Sequence, residues 1–158
     1  LPRSLKKVVF GSEFNNPVNL QSMHYLRSLV QNPSMPRSFQ KNIFHNILNN
    51  NDFPIGTADY EAIKQQLIRN PKTEDYILNH FAKGEVIPPV EAVHISSNPN
   101  ASSATLANIF NKYKDTIHTA IKDNLVQHPN ASEDILTHFT KDPNRSISRL
   151  PKKRLLKK

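Results

Sequence analysis

The chain has 158 residues, no cysteine and a formal net charge of +8 at pH 7. This length is enough for one domain with a real core. The lack of cysteine excludes disulfides, thiolate zinc sites, iron–sulfur clusters and a cysteine nucleophile. The 3 glycines and 12 prolines favour helices separated by proline stops over a turn-rich sheet protein. No segment approaches the roughly 20 apolar residues that a membrane-spanning helix needs.

The basic residues are concentrated at the two ends of the chain. Residues 1–10 carry three of them and residues 144–158 carry seven, with no acid in either segment. The other 11 lie among all 13 acids. We therefore predict a basic N-terminal arm over residues 1–15, a near-neutral body over 16–147 and a basic tail over 148–158. Charge blocks of this kind associate with polyanions.

In chain order, the first helical signal follows the basic arm. Asn16-Pro17 pairs an N-cap with a proline at the first helical position, and the apolar residues of 20–30 recur at helical spacing. This helix should end before Pro33, because the residue preceding a proline is disfavoured in helical geometry. Residues 49–56 and 83–89 are predicted to be loops.

Four Asn-Pro or His-Pro corners recur along the chain. The prolines lie 38, 28 and 30 residues apart, at Pro33, Pro71, Pro99 and Pro129. An aliphatic residue stands four positions before each proline: Leu29, Leu67, Ile95 and Leu125. An apolar residue stands ten positions after it: Ile43, Phe81, Ile109 and Phe139. Each repeat is thus predicted to be two short helices joined at a corner. The repeats must stack, since neither helix can bury its apolar face alone.

Short polar residues after the corners are predicted to cap the second helix of each repeat. These are Ser34, Asn100 and Asn130, with Thr73 taking the role after Pro71. Asn130 and Glu133 have the spacing of a capping box. A further Asp142-Pro143 pair follows the last corner and indicates the start of an incomplete repeat.

The pattern Asn-Pro-x-(Ser/Thr/Ala)-x-x-x-x-Leu-x-x-(Phe/Ile) occurs at Asn70–Phe81, and a close copy occurs at His128–Phe139. This pattern resembles the leucine-rich repeat variant family over about residues 22–147. The resemblance implies a right-handed α-solenoid of paired short helices, related in shape to HEAT-type arrays. It brings no catalytic residues. The repeats here are longer than the family's, and without cysteine the chain cannot hold the iron–sulfur cluster that some members carry. The expected fold is therefore all-α, a short right-handed solenoid of about four helical-hairpin repeats with basic terminal arms.

No residue pattern indicates catalysis, a metal or another cofactor. The seven histidines include no pair at the four-residue spacing of a helical zinc site, and His80 and His138 share one repeat position with Asn42 and Asn108, which indicates a structural role. The carboxylate pairs Glu74-Asp75 and Glu133-Asp134 fall in predicted first helical turns, where they offset the helix dipole. No phosphate-binding glycine loop or nucleophile motif is present. We expect a non-enzyme.

The basic ends are the strongest functional signal. The residues that we predict to contact RNA or DNA phosphates are Arg145, Arg149, Lys152, Lys153, Arg154, Lys157, Lys158, Lys6 and Lys7. Other interpretations of the C-terminal cluster are a disordered solubilising tail, a nuclear-import-like signal and attachment to an anionic membrane surface. Because its apolar residues are few, we expect residues 145–158 to extend away from the body.

The sequence thus predicts a scaffold or adaptor in a nucleic-acid-containing assembly. The basic arms would contact phosphates, and the helical-repeat body would bind a protein. The alternative is a protein–protein binding module, viral or host-directed, whose tails serve only solubility or targeting. An enzyme shaped like helical-repeat DNA-repair glycosylases is a third class, which the charge distribution does not favour. We expect an intracellular location, either cytoplasmic or associated with the nucleus, a virion or another nucleoprotein.

Overall fold

The structure, a computed structural model, describes residues 35, 37–49, 54–116 and 118–156. This part of the chain forms eight α-helices and no β-strand, which confirms the predicted all-α class. The helices are α1 (Arg37–Asn49), α2 (Ala58–Arg69), α3 (Asp75–Ala82), α4 (Pro89–Ser97), α5 (Ser103–Tyr113), α6 (Thr119–Gln127), α7 (Glu133–Phe139) and α8 (Arg145–Leu155). The helix predicted after Asn16 and the corner at Pro33 lie outside the described residues.

The chain divides into two compact units, Leu1–Thr73 and Glu74–Lys158. In the first unit, α1 buries an apolar stripe that includes Phe39 and Ile43. α2 starts at the N-cap Thr57, whose Oγ1 accepts a hydrogen bond from the Tyr60 N–H at 3.3 Å. It buries Ile63, Leu67 and Ile68 completely. Both helices thus have the apolar periodicity that the sequence indicates.

In the second unit each helix packs on its successor and, in most cases, on the helix after that. α3 packs on α5, α4 packs on α6, and α6 packs on α8. The repeat positions that the sequence marks as apolar form the core of this packing. Leu78, Ile95, Leu106, Ile109, Leu125 and Phe139 are all fully buried.

The three described corners share one local structure. The residue before each proline, Asn70, Asn98 or His128, is buried and has an extended backbone, with ψ of 119°, 122° and 132°. Its side chain accepts a hydrogen bond from the N–H two positions later, at 2.9, 3.0 and 3.1 Å. Its carbonyl accepts one from the N–H three positions later. The side chain therefore closes the turn that the proline opens.

The cap residues predicted after these corners are wrong. The N-caps are Glu74, Ser102 and Ser132, which stand three positions after the proline. Ser102 Oγ accepts from the Thr105 N–H at 3.2 Å, and Ser132 Oγ accepts from the Ile135 N–H at 3.4 Å. The turn at the corner uses the intervening residues, so the next helix starts later than the proline alone indicates. Ser34 lies outside the described residues.

Polar side chains also connect helices that stand two apart in the order of the second unit. The Asp75 carboxylate of α3 accepts from the Ser102 N–H at 2.7 Å and from the Thr105 hydroxyl at 2.6 Å, both at the start of α5. Asn108 Nδ2 donates to Asn79 Oδ1 at 2.9 Å. Asn124 Nδ2 of α6 donates to the Val93 carbonyl of α4 at 3.1 Å. These bonds join residues 27 to 31 positions apart, close to the spacings of 28 and 30 residues between the corner prolines.

Candidate nucleic-acid interface

The basic C-terminal segment is mostly helical. α8 begins after the N-cap Asn144, whose Oδ1 accepts from the Ser146 N–H at 3.0 Å and from the Ser146 hydroxyl at 2.7 Å. The residues before it form a turn, because Asp142 Oδ1 accepts from the Asn144 N–H at 2.9 Å. The helix contains no acidic residue, and its last turn carries Lys152, Lys153 and Arg154, where cations interact favourably with the helix dipole.

The prediction that this segment extends away from the body is wrong for Arg145–Leu155. α8 packs on α6 and α7, and Ile147, Ser148 and Pro151 are buried. Ile147 and Pro151 stand one turn apart and so share a side of the helix. The apolar residues are few, as the sequence indicates, but their helical spacing concentrates them where α8 contacts its neighbours.

Arg154 holds α8 to the preceding corner. Its Nη1 donates to the Val126 carbonyl at 2.7 Å and to the His128 carbonyl at 2.9 Å, and its Nη2 donates to the Pro129 carbonyl at 3.3 Å. These carbonyls lie at the C-terminal end of α6, where helical carbonyls lack partners within the helix. The forked guanidinium suits several acceptors at once. Arg154 is therefore engaged within the protein and does not join the outward-facing cations.

Three of the predicted phosphate-binding residues lie together on α8. Arg145, Arg149 and Lys152 are exposed and line one cleft of about 520 Å³. Of the residues that the structure describes, Ser146 and Ser148 also line it. The described part of the lining therefore offers three cations and two serine side chains, and it contains no acidic and no aromatic residue. Groups of this kind donate to anionic oxygens.

The other predicted residues lie elsewhere. Lys153 is exposed on α8 but does not line the cleft. Lys157, Lys158, Lys6 and Lys7 fall outside the described residues. The structure thus brings together three of the nine predicted residues and gives Arg154 a separate set of partners.

A second cleft, of about 430 Å³, carries mixed charge. Its lining includes the exposed Lys141 and Asp115, and the ion pair between Lys122 Nζ and Asp142 Oδ2 at 2.9 Å. The Asp142 side chain is 6% exposed. Burial opposes its ionisation, but hydrogen bonds from Lys122 and from the Asn144 N–H, together with the charge of Lys122, outweigh that cost and lower the pKa of Asp142.

The contacts made by Asp75, Asp142 and the Nε2 atom of His128 were not predicted; the last of these hydrogen-bonds the Asn98 carbonyl at 2.9 Å. The sequence did contain one signal for the role of Asp142. A residue with a side-chain acceptor directly precedes a proline at Asp142-Pro143, as it does at Asn70-Pro71. We expected only the start of an incomplete repeat at this pair, whereas the structure shows that it precedes a packed helix, α8.

Among the described residues, no group of three or more histidine, aspartate or glutamate side chains is placed to hold a metal ion. Within the same residues, no helix has the length and apolar character needed to cross a membrane. Comparisons with protein-family models, curated proteins and solved structures found no match.

Proposed function

We propose that this protein is a non-enzymatic scaffold in a nucleic-acid-containing assembly. The outer face of α8 contacts RNA or DNA phosphates, and the helical-repeat body binds a protein. The observation that carries the proposal is the cleft on α8, where Arg145, Arg149 and Lys152 converge and no described lining residue is acidic.

The recurring corners support a body built as an α-solenoid of the leucine-rich repeat variant type. Asn70, Asn98 and His128 close their turns in the same way. In the second unit, α4, α6 and α8 pack in succession, as stacked repeats do. Such arrays present extended surfaces suited to protein partners.

The composition of the cleft favours contact with the nucleic-acid backbone over contact with bases. Arginine and lysine side chains donate to phosphate oxygens regardless of sequence. Stacking of bases needs aromatic faces, and none of the described residues that line the cleft is aromatic. Binding should therefore be largely independent of sequence and strongly dependent on salt.

A direct test measures binding of fluorescent RNA and DNA oligonucleotides at about 50 and 200 mM salt. The first variant combines Arg145→Gln, Arg149→Gln and Lys152→Gln. The matched control combines Arg69→Gln, Lys72→Gln and Lys83→Gln, which removes the same charge from exposed positions outside α8. We expect the α8 variant to weaken binding and to reduce the salt slope by about 2 to 3. The control should stay close to the unmodified protein.

Two results would contradict the proposal. One is that the unmodified protein binds neither nucleic acid at the lower salt concentration. The other is that both triple variants lose affinity equally, because binding would then follow net charge and not the position of the cations.

The alternative, a protein–protein binding module whose basic residues serve solubility or targeting, has its own support. α8 packs with one side on α6 and α7 and exposes a polar side, where charged residues favour solubility. Val86 and Val90 are 83% and 50% exposed in and after the α3–α4 connection, and they offer apolar contact area. Absence of nucleic-acid binding in the test above would favour this alternative.

A further inference from the structure

Within the α8 cleft, Ser148 differs from the cations around it. Ser148 as a whole is only 6% exposed, although it lines an open cleft. Its hydroxyl makes no hydrogen bond to any residue that the structure describes. The hydroxyl is therefore available to donate to a group that enters the cleft. By contrast, the Ser146 hydroxyl is already used, because it donates to Asn144 Oδ1 at 2.7 Å.

The positions of the lining residues place this hydroxyl among the cations. Arg145, Ser148, Arg149 and Lys152 follow one another at intervals of three, one and three residues, which puts them on one side of a helix. Three exposed cationic side chains therefore lie beside one hydroxyl that has no hydrogen-bond partner among the described residues. This arrangement suits a compact anion with several acceptor oxygens, since the cations supply charge and the hydroxyl supplies a directed hydrogen bond.

We propose, building on the function above, that this cleft receives one backbone phosphate of the bound nucleic acid. The Ser148 hydroxyl donates to a non-bridging phosphate oxygen, and Arg145, Arg149 and Lys152 neutralise the charge. Lys153 lies outside the site and contributes only to the long-range electrostatic attraction between the basic residues and the nucleic acid. Binding therefore has one fixed phosphate position and is not spread evenly over the basic residues of α8.

The test compares single substitutions in the full chain, with a fluorescent single-stranded oligouridylate as the probe. Lys152→Gln and Lys153→Gln remove the same charge from neighbouring positions of one helix. Ser148→Ala removes the hydroxyl without changing charge, and Ser103→Ala is its control at an exposed serine of α5. Thermal unfolding of each variant checks that the fold is retained.

We expect Lys152→Gln to weaken binding about tenfold and Lys153→Gln about twofold or less. Ser148→Ala should weaken binding about threefold to tenfold. It should leave the salt slope unchanged, because the hydroxyl releases no counterion. Ser103→Ala should bind as the unmodified protein does.

Equal losses for the two lysine variants, or no loss for Ser148→Ala, would overturn the phosphate site while leaving nucleic-acid binding in place. If the unmodified protein does not bind the probe or a DNA duplex, the proposed function fails and the site fails with it.

Discussion

At the corner before Pro129, His128 makes the turn-closing contact that asparagine makes at the other two described corners. Its Nδ1 accepts from the Asn130 N–H at 3.1 Å. The neutral ring then carries its proton on Nε2 and donates to the Asn98 carbonyl at 2.9 Å. One imidazole thus closes its own turn, as asparagine does, and also bonds the preceding corner.

Two substitutions separate these roles of His128. His128→Asn keeps the acceptor for the turn and loses the bond to Asn98, so we expect a loss of about 1 kcal/mol in the free energy of unfolding. His128→Ala loses both contacts and should cost about 2 to 3 kcal/mol. Urea denaturation measures both values. Equal losses for the two variants would mean that asparagine cannot close this corner.

The Asp142 carboxylate gives a pH-dependent contribution to stability. Its folded pKa lies below the ordinary value of 3.8, so the stabilisation is fully present above that value and is lost as the pH falls through the lower folded pKa. Asp142→Asn retains an acceptor for the Asn144 N–H but removes the ion pair with Lys122. We expect it to lower the free energy of unfolding by about 1 to 2 kcal/mol at neutral pH.

The difference in the free energy of unfolding between Asp142→Asn and the unmodified protein should shrink once the pH falls below about 4. Asp115→Asn, an exposed acid in the lining of the same cleft, is the control and should change stability by less than about 0.5 kcal/mol. A difference that stays constant down to the lowest accessible pH would show that the charge of Asp142 is not what stabilises the fold.

At the scale of the helix, α8 is held by a few well-placed contacts. The buried side chains Ile147 and Pro151 contribute apolar area, and Arg154 supplies three hydrogen bonds to the end of α6. Pro151 lacks an N–H, so the helix loses one internal bond there. The contacts of Arg154 therefore matter more than in a helix with an unbroken set of backbone bonds.

Arg154→Lys keeps the charge but removes the forked donor. We expect a loss of about 1 to 2 kcal/mol in the free energy of unfolding and faster hydrogen exchange of the amides of α8. Lys153→Met, at an exposed neighbouring position, should leave both unchanged. Unaltered exchange in Arg154→Lys would mean that apolar packing alone holds the helix.

At the scale of the whole molecule, the second unit is a series of neighbouring contacts. Asp75 connects α3 to α5, while Arg154 connects α8 to the corner after α6. These two groups share no partner. Arg154 and His128, by contrast, meet at the His128 carbonyl.

We therefore expect the losses from Asp75→Ala and Arg154→Ala to add within about 0.5 kcal/mol in the double variant. His128→Ala combined with Arg154→Ala should depart from additivity by about 0.5 to 3 kcal/mol. Chemical denaturation of the single and double variants measures both couplings. Strong coupling between Asp75 and Arg154 would contradict the description of the unit as a series of local contacts.

The helical class and the apolar core positions follow from the amino-acid sequence alone. The corner prolines end the preceding helices through their own backbone chemistry, and periodic apolar residues must be buried, so the spacing of Leu67, Ile95 and Leu125 is enough to assign them to the core. The cap positions could not be assigned in this way, because a corner closed by its own side chain delays the next helix.

The roles of the basic residues, by contrast, depend on tertiary packing. Charge is visible in a sequence, but the partner of a charge is set by which helices meet. Arg154 therefore faces carbonyl oxygens of α6 while Arg145, Arg149 and Lys152 face outward around Ser148. For the same reason a segment with few apolar residues could pack as a helix, since two residues one turn apart give α8 a buried side.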